Sequence, residues 1–209
     1  MEGVLDVYER PYDPDFPVVN LDESPKQLLA HVNEPFVGSD GVFYQDYEYK
    51  RNGTVSMYML VEALMGFRKV FVKDNHTALT YAEVIIYISR ELYPDAKKIT
   101  IVEDNLSAHK LAALYEVLPP QDARSIITRL EIVRTPKHGS WLNIAESELS
   151  VLTRCGIKGR TPTKESLEDQ VDAWQTKRNK NATKVDWQFT TEDARIKLKH
   201  LYPAFSKSD

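Results

Sequence analysis

The chain has 209 residues, 42% hydrophobic and 28% charged, with a formal net charge of -4; this suits one well-buried globular domain and leaves little room for a second. No apolar run approaches the roughly 20 residues of a membrane span, and the start, Met1–Asp6, has neither the basic residues nor the apolar stretch of a signal peptide. A single cysteine, Cys155, excludes an intramolecular disulfide and suits a reducing cytoplasm.

Residues 1–17, with Tyr8, Pro11, Tyr12 and Pro14 among acids, read as an extended lead-in, a linker without a folded element. Val18–Asp22, short and β-branched between Pro17 and Pro25, predicts a strand. Residues 30–52 are polar and tyrosine-rich and read as a long excursion or loose hairpin. Thr54–Leu64 and Phe67–Lys73 predict two strands joined at Met65-Gly66. Thr77 is placed to cap a helix over 77–92, whose apolar stripe is Ala78, Tyr81, Ala82, Ile85, Ile88 and Leu92. Lys98–Val102 predicts a central strand covered on both faces. Helices follow over Ser107–Leu118 and Gln121–Leu130, then a strand over Leu130–Val133. Further helices are predicted over about 141–155, 163–179 and 191–200. Hairpin strands first, then strands alternating with helices, imply an α/β fold, a mixed sheet with helices on its faces. Residues 18–203 make one domain on this reading, with a short tail over 204–209.

Asp22 and Asp104 each end an apolar, β-branched run, and Glu146 sits one turn into an amphipathic helix. A carboxylate at the end of a buried strand cannot pack as core and is costly to bury unless it is paired or bound to a cation. Three of them brought together are what Mg²⁺-dependent phosphodiester chemistry requires. The helical wheel leaves the third acid open: with Leu142, Ala145, Leu149 and Leu152 as core stripe, Glu146 and Glu148 flank it equally. Glu23 and Glu103, next to the two aspartates in strands, face the opposite way.

Leu21-Asp22-Glu23-Ser24-Pro25, Val102-Glu103-Asp104-Asn105 followed by His109, and Pro136-Lys137-His138-Gly139-Ser140-Trp141-Leu142-Asn143-Ile144-Ala145-Glu146 resemble the signatures of DDE-superfamily endonucleases. The likeness is strongest to the catalytic domain of bacterial insertion-sequence transposases related to the mariner elements, and the late block Val185–Leu198 is similar to the C-terminal end of one such group. The resemblance runs from about Tyr8 to Pro203 and implies an RNase H-like fold of the retroviral-integrase type. It implies that Asp22, Asp104 and Glu146 bind two Mg²⁺ ions, for which Mn²⁺ can substitute. Water would then free a 3′-hydroxyl at the transposon end, and that hydroxyl would be transferred into target DNA. The partners implied are double-stranded DNA, both transposon ends and target, and a second copy of the chain in a homodimer on DNA. The place of action implied is the bacterial cytoplasm, at the nucleoid. Two departures stand out: 41 residues separate Asp104 from Glu146, longer than is usual in mariner relatives, and an N-terminal helix-turn-helix region that reads transposon ends is missing or separate.

The charge is unevenly spread: residues 1–129 carry 13 basic and 20 acidic side chains, residues 130–209 carry 14 and 11, so the C-terminal part is the candidate phosphate-facing side. Lys177, Arg178, Lys180 and Lys184 form its best stripe, against the alternative of a solvated helix end. Lys137 and His138 are candidates for DNA phosphate or plain loop residues, and Trp141 packs or stacks on a base. Asn105 reads as a supporting or turn residue behind the acids, and His109 as one that orients a carboxylate, touches substrate or caps a helix. The rival to a working transposase domain is an inactive or domesticated remnant that binds DNA or a partner without cutting.

Overall fold

The structure, a computed structural model, describes residues 1–137 and 139–202, so His138, Pro203 and the 204–209 tail lie outside it. Seven strands and seven α-helices are present among the described residues. The main sheet has the order β5-β4-β1-β6-β7, from β1 (Val18–His31), β4 (Tyr49–Glu62), β5 (Phe67–Lys73), β6 (Ile99–Glu103) and β7 (Leu130–Arg134). β1, β4 and β5 pair antiparallel, while β6 runs parallel to both β1 and β7. This is the mixed sheet that the hairpin-then-alternation pattern predicts.

Side-chain alternation divides the core. Val19, Leu21, Tyr58, Leu60, Ile99 and Ile101 face α2 (Ala78–Tyr87), α3 (Leu114–Val117) and α4 (Pro120–Thr128). Met57, Met59, Val61, Val70 and Val72 face α5 (Ile144–Val151) and α6 (Lys164–Lys180) on the other side. Val55–Glu62 is buried without a break, as expected of a strand covered on both faces. Thr77 caps α2 through its side chain, as the sequence predicts, and a π turn carries that helix on to Leu92.

Three sequence expectations fail locally. Residues 2–8 are not an extended lead-in but a helix, α1 (Glu2–Tyr8), whose Val4, Leu5 and Val7 are buried with Val102, Leu142 and Ala194 of α7 (Thr191–Lys197); the prolines that suggest extension begin only at Pro11. Helix over Ser107–Leu118 shrinks to a 3₁₀ turn at Leu111–Ala113 followed by α3. The Asp104 side chain accepts the Leu106 N–H in a tight turn, and His109 is pulled inward. Third, β1 runs on past Asp22 to His31, paired with β4 as a two-stranded ribbon. Beyond it, β2 (Phe36–Val37) and β3 (Phe43–Tyr44) make a small hairpin with exposed aromatics, and Arg160 pins its root on the carbonyls of Asp46, Tyr47 and Glu48.

One buried ion cluster joins the layers. Arg68 of β5 is 0% exposed, and its Nε and Nη2 donate to Glu148 of α5 at 3.1 and 3.0 Å. Arg178 of α6 donates to the same carboxylate at 2.7 and 2.9 Å. α6 also covers the free edge of β5, Asn179 bonding both the N–H and C=O of Arg68 and Gln175 accepting the Val70 N–H. No described helix is long and apolar enough to cross a membrane.

Glu148→Ala should destabilise the protein by about 3–5 kcal/mol in urea unfolding, because it strands two guanidinium groups of which one is wholly buried. At the opposite sheet edge, Glu131 accepts two bonds from Arg10 and one from Thr100, and the Arg10 guanidinium foremost holds its pKa down to about 2. The stabilisation is present above the ordinary carboxylate range and is lost as pH falls toward 2. After allowance for solvent screening of this partly exposed pair, Glu131→Gln should cost about 1 kcal/mol at pH 7. The gap from wild type should close in unfolding curves recorded at progressively lower pH.

Candidate active site

β1 pairs with β6 from Val18↔Thr100 to Asn20↔Val102, after which the strands part. Asp22 and Asp104 each lie two residues beyond the last pair, where the two neighbouring strands diverge. Alternation turns both toward the α5 side of the sheet. There α5 presents Glu146, and Asp22, Asp104 and Glu146 line one cleft of about 710 Å³ with Glu23, Ser24, Ser140 and Asn143. Glu148, the wheel's other candidate, instead points into the core to Arg68 and Arg178.

The acids differ in their surroundings. Asp22 accepts the Glu23 N–H at 2.9 Å, yet its pKa is pushed up to about 7, by burial first and then by the charges of Glu23, Asp104 and Glu146. Glu146 is exposed at the cleft wall. Glu23 and Glu103 turn to the α2 side, as the alternation predicts, and meet His109. Its Nε2 lies 3.0 Å from Glu23, and its Nδ1 lies 3.3 Å from Asp104 Oδ1 and 3.8 Å from Glu103. The imidazole stacks on Tyr81, whose hydroxyl donates to Glu103 at 2.8 Å. Burial alone would lower the His109 pKa, but the Glu23 bond and the charges of Glu103, Glu23 and Asp104 outweigh it and raise it. Glu23 and Glu103 are thus compensated by His109, which also reaches Asp104, while Asp22 and Glu146 have no cationic partner among the described residues.

Among the described residues, no three Asp, Glu, His or Cys side chains close on a single point tightly enough to enclose an ion. The donor set nevertheless fits a hard divalent cation: it is all carboxylate oxygen, and Asp22 is buried without a cationic partner.

The other predicted residues scatter. Asn105 donates to the Thr135 carbonyl at 2.6 Å, closing the β6 and β7 ends, and does not line the cleft. Lys137 and Trp141 line a neighbouring cavity with Met1 and Tyr202, and Trp141, 44% exposed, lies against Trp187 and Phe189. Lys177, Lys180 and Lys184 are exposed around the end of α6, which reaches the β4–β5 turn at Gly66. That turn lies beyond Glu62, three residues or about 10 Å past the Asp22↔Met59 pair and away from the cleft. Arg178 leaves the stripe altogether, since its guanidinium is bound to Glu148.

Asn143 was not anticipated from the sequence. It is buried, caps α5 by accepting the Ala145 N–H, and donates to the Leu21 carbonyl at 2.9 Å. The helix carrying Glu146 is thereby tied to the residue before Asp22. The signal was present as an Asn immediately before an amphipathic run.

The fold is similar to the Mos1 mariner paired end complex with Mn, at 14% identity and a TM-score of 0.55 over 87% of this chain and 55% of that one. The Mos1 strand transfer complex matches at 13% and 0.55, over 87% and 55%, and the Mos1 mariner paired end complex with Mg at 14% and 0.51, over 87% and 58%. The chain thus spans a little over half the length of these transposase chains, and the likeness identifies its fold as an RNase H-like catalytic core. No curated protein matches the chain. Residues 17–168, which include Asp22, Asp104 and Glu146, match the DDE superfamily endonuclease family, and the chain belongs to that family.

Proposed function

We propose that the chain is the catalytic domain of a DNA transposase that cuts phosphodiester bonds at transposon ends and joins the freed 3′-hydroxyl to target DNA. Asp22, Asp104 and Glu146 hold the divalent cations, Mg²⁺ or Mn²⁺. The observation that carries this reading is the convergence of three carboxylates, from β1 where β6 leaves it, from the end of β6 and from α5, on one cleft. The likeness to Mos1 paired-end and strand-transfer assemblies supports it. Paired ends favour a homodimer on DNA, with end recognition by a helix-turn-helix region on this or another chain. On the insertion-sequence reading it acts at the bacterial nucleoid.

A bound divalent ion would polarise the phosphoryl oxygen and make water a stronger nucleophile near neutral pH. The chain's own residues set up that chemistry. Asp22 sits on a strand paired on both sides up to Asn20, and the Glu23 N–H holds one of its oxygens. Asp104 likewise gives one oxygen to the Leu106 N–H, leaving the other for the cleft. Asn143 sets the distance between the strand of Asp22 and the helix of Glu146. Without cations, four carboxylates in the cleft wall oppose the entry of a phosphodiester. The rival reading, a remnant that binds without cutting, draws on the failure of the three acids to close on one point.

Calorimetric titration of Mn²⁺ and nicking of supercoiled plasmid separate the two. Wild type should bind the ion and nick. Asp22→Asn and Asp104→Asn should do neither; the thermal midpoint of Asp22→Asn should be no lower than wild type, because it removes a half-buried charge that its neighbours repel. Nicking by either variant would sink the site assignment, and wild type that neither binds Mn²⁺ nor nicks would favour the remnant. Asn143→Ala should keep its fold at a cost of about 1 kcal/mol for the lost cap, yet lose about 10–100-fold in nicking, the range for residues that orient metal ligands.

A further inference from the structure

The cleft has two unlike walls. Asp22, Glu23 and Asp104 belong to the strand side, whereas the α5 side continues beyond Glu146 as Ser150, Thr153 and Arg154. Among the eleven residues that line the cleft, Arg154 is the single cation against four carboxylates. Its position follows from the helix geometry. α5 ends at Val151 and passes into a π turn over Leu152–Gly156, anchored by buried Leu152 and closed by the Ile157 N–H on the Leu152 carbonyl. A turn closed over five residues advances fewer degrees per residue than an α-helical one. Glu146, Ser150 and Arg154, spaced by four, lie on one helical stripe, and the wider turn keeps Arg154 closer to that face.

No described residue uses this charge. Arg154 is exposed and makes no ion pair among the described residues; its one hydrogen bond runs from Nε to the Ser150 carbonyl of its own helix, at 3.2 Å. That bond holds the stem of the guanidinium and leaves both terminal amino groups free. Every other arginine that touches a carboxylate near the site is committed: Arg68 and Arg178 to Glu148, Arg134 to Glu103 and the His109 carbonyl. A guanidinium with two free amino groups, flanked by two hydroxyls, presents the fork that phosphate oxygens take.

We propose that Ser150, Thr153 and Arg154 form the track for the DNA backbone beside the reacting phosphodiester, with Arg154 binding a neighbouring phosphate. This rests on the transposase reading and deepens it. Eight residues of helix place Arg154 about 12 Å from Glu146, roughly three to four nucleotide steps along one strand of a duplex. The track would hold the substrate in register with the acids, its guanidinium drawing the backbone along the wall opposite the strands. It also replaces the Lys177–Lys184 stripe, which faces away from the cleft, as the contact that matters for the reacting strand.

The test is duplex DNA binding in a fixed concentration of Ca²⁺, a hard cation that carboxylates hold, across a salt series of KCl, for wild type, Arg154→Ala and Arg154→Lys. Each phosphate contact contributes about 0.9 to the slope of log affinity against log salt. Arg154→Ala should weaken binding several-fold and reduce the slope by about 1, while Arg154→Lys should retain the slope. Lys177→Ala should leave nicking unchanged. An Arg154→Ala slope equal to wild type, with unchanged affinity, would overturn the track. Wild type that binds no DNA at all, and does not nick with Mn²⁺, would fail the transposase reading itself, and so the two failures can be told apart.

Discussion

The arrangement of the cleft depends on one buried ion cluster on the far side of α5. Arg68 has no exposure to solvent, so it must have a carboxylate, and Glu148 supplies it while also receiving Arg178. Such a cluster gives little net stability over an apolar packing of the same volume, but it tolerates almost no displacement, because any slip leaves a buried charge unpaired. It therefore fixes the rotation of α5. Two residues of α-helix turn through about 200°, so anchoring Glu148 in the core sends Glu146 to the opposite side, into the cleft. Asn143 fixes the same helix at its start, through the Leu21 carbonyl. Between these two anchors the third acid has no freedom except its own side-chain torsions.

The carboxylates around the sheet fall into two classes, and the division has a physical meaning. Glu148 has two guanidinium groups; Glu23 and Glu103 share His109, with Tyr81 and Arg134 beside Glu103. These are buried charges compensated within the protein. Asp22, Asp104 and Glu146 line one cleft, where Asp22 has only the Glu23 N–H as partner and a raised pKa, and Asp104 has the Leu106 N–H and the edge of His109. A fold that neutralises its buried acids beside these three has the means to neutralise half-buried Asp22 too. Leaving it bare is coherent with a site completed by cations from solution, and His109, set between Glu23 and Asp104, links the compensated set to the open one.

Much of this was legible in the chain. The succession of elements along the chain, the hairpin at Gly66, the cap at Thr77 and the placing of Asp104 at the end of β6 all follow from local patterns of period two and turn chemistry. What was not legible depends on contacts between distant residues. Periodicity could not separate Glu146 from Glu148, because the answer lies in Arg68, eighty residues earlier on the edge strand. For the same reason Arg178 looked like one more lysine-rich helix end, although its partner is a buried glutamate. The loss of helix before Leu111 and the inward position of His109 are likewise set by Glu23 across the sheet. Residues 1–17 were misread for a different cause: the prolines of the second half masked an amphipathic turn in the first.

That misreading bears on what the functional unit is. The family match covers residues 17–168, but the packing does not stop there. α1 and α7 bury Val4, Leu5, Val7 and Ala194 against Val102 of β6 and Leu142, which lies directly before Asn143. The Tyr8 hydroxyl donates to the Leu142 carbonyl at 2.6 Å and also contacts the Asn20 side chain, two residues before Asp22. The chain's first and last helices therefore brace β6 and the segment leading into α5 from below, on the face that carries the acids. A unit cut to the matched residues would keep all three carboxylates and lose the layer against which two of their three supports are packed. The physical domain is thus wider than the region by which the family is recognised, because recognition follows the acids and stability follows the apolar surface beneath them.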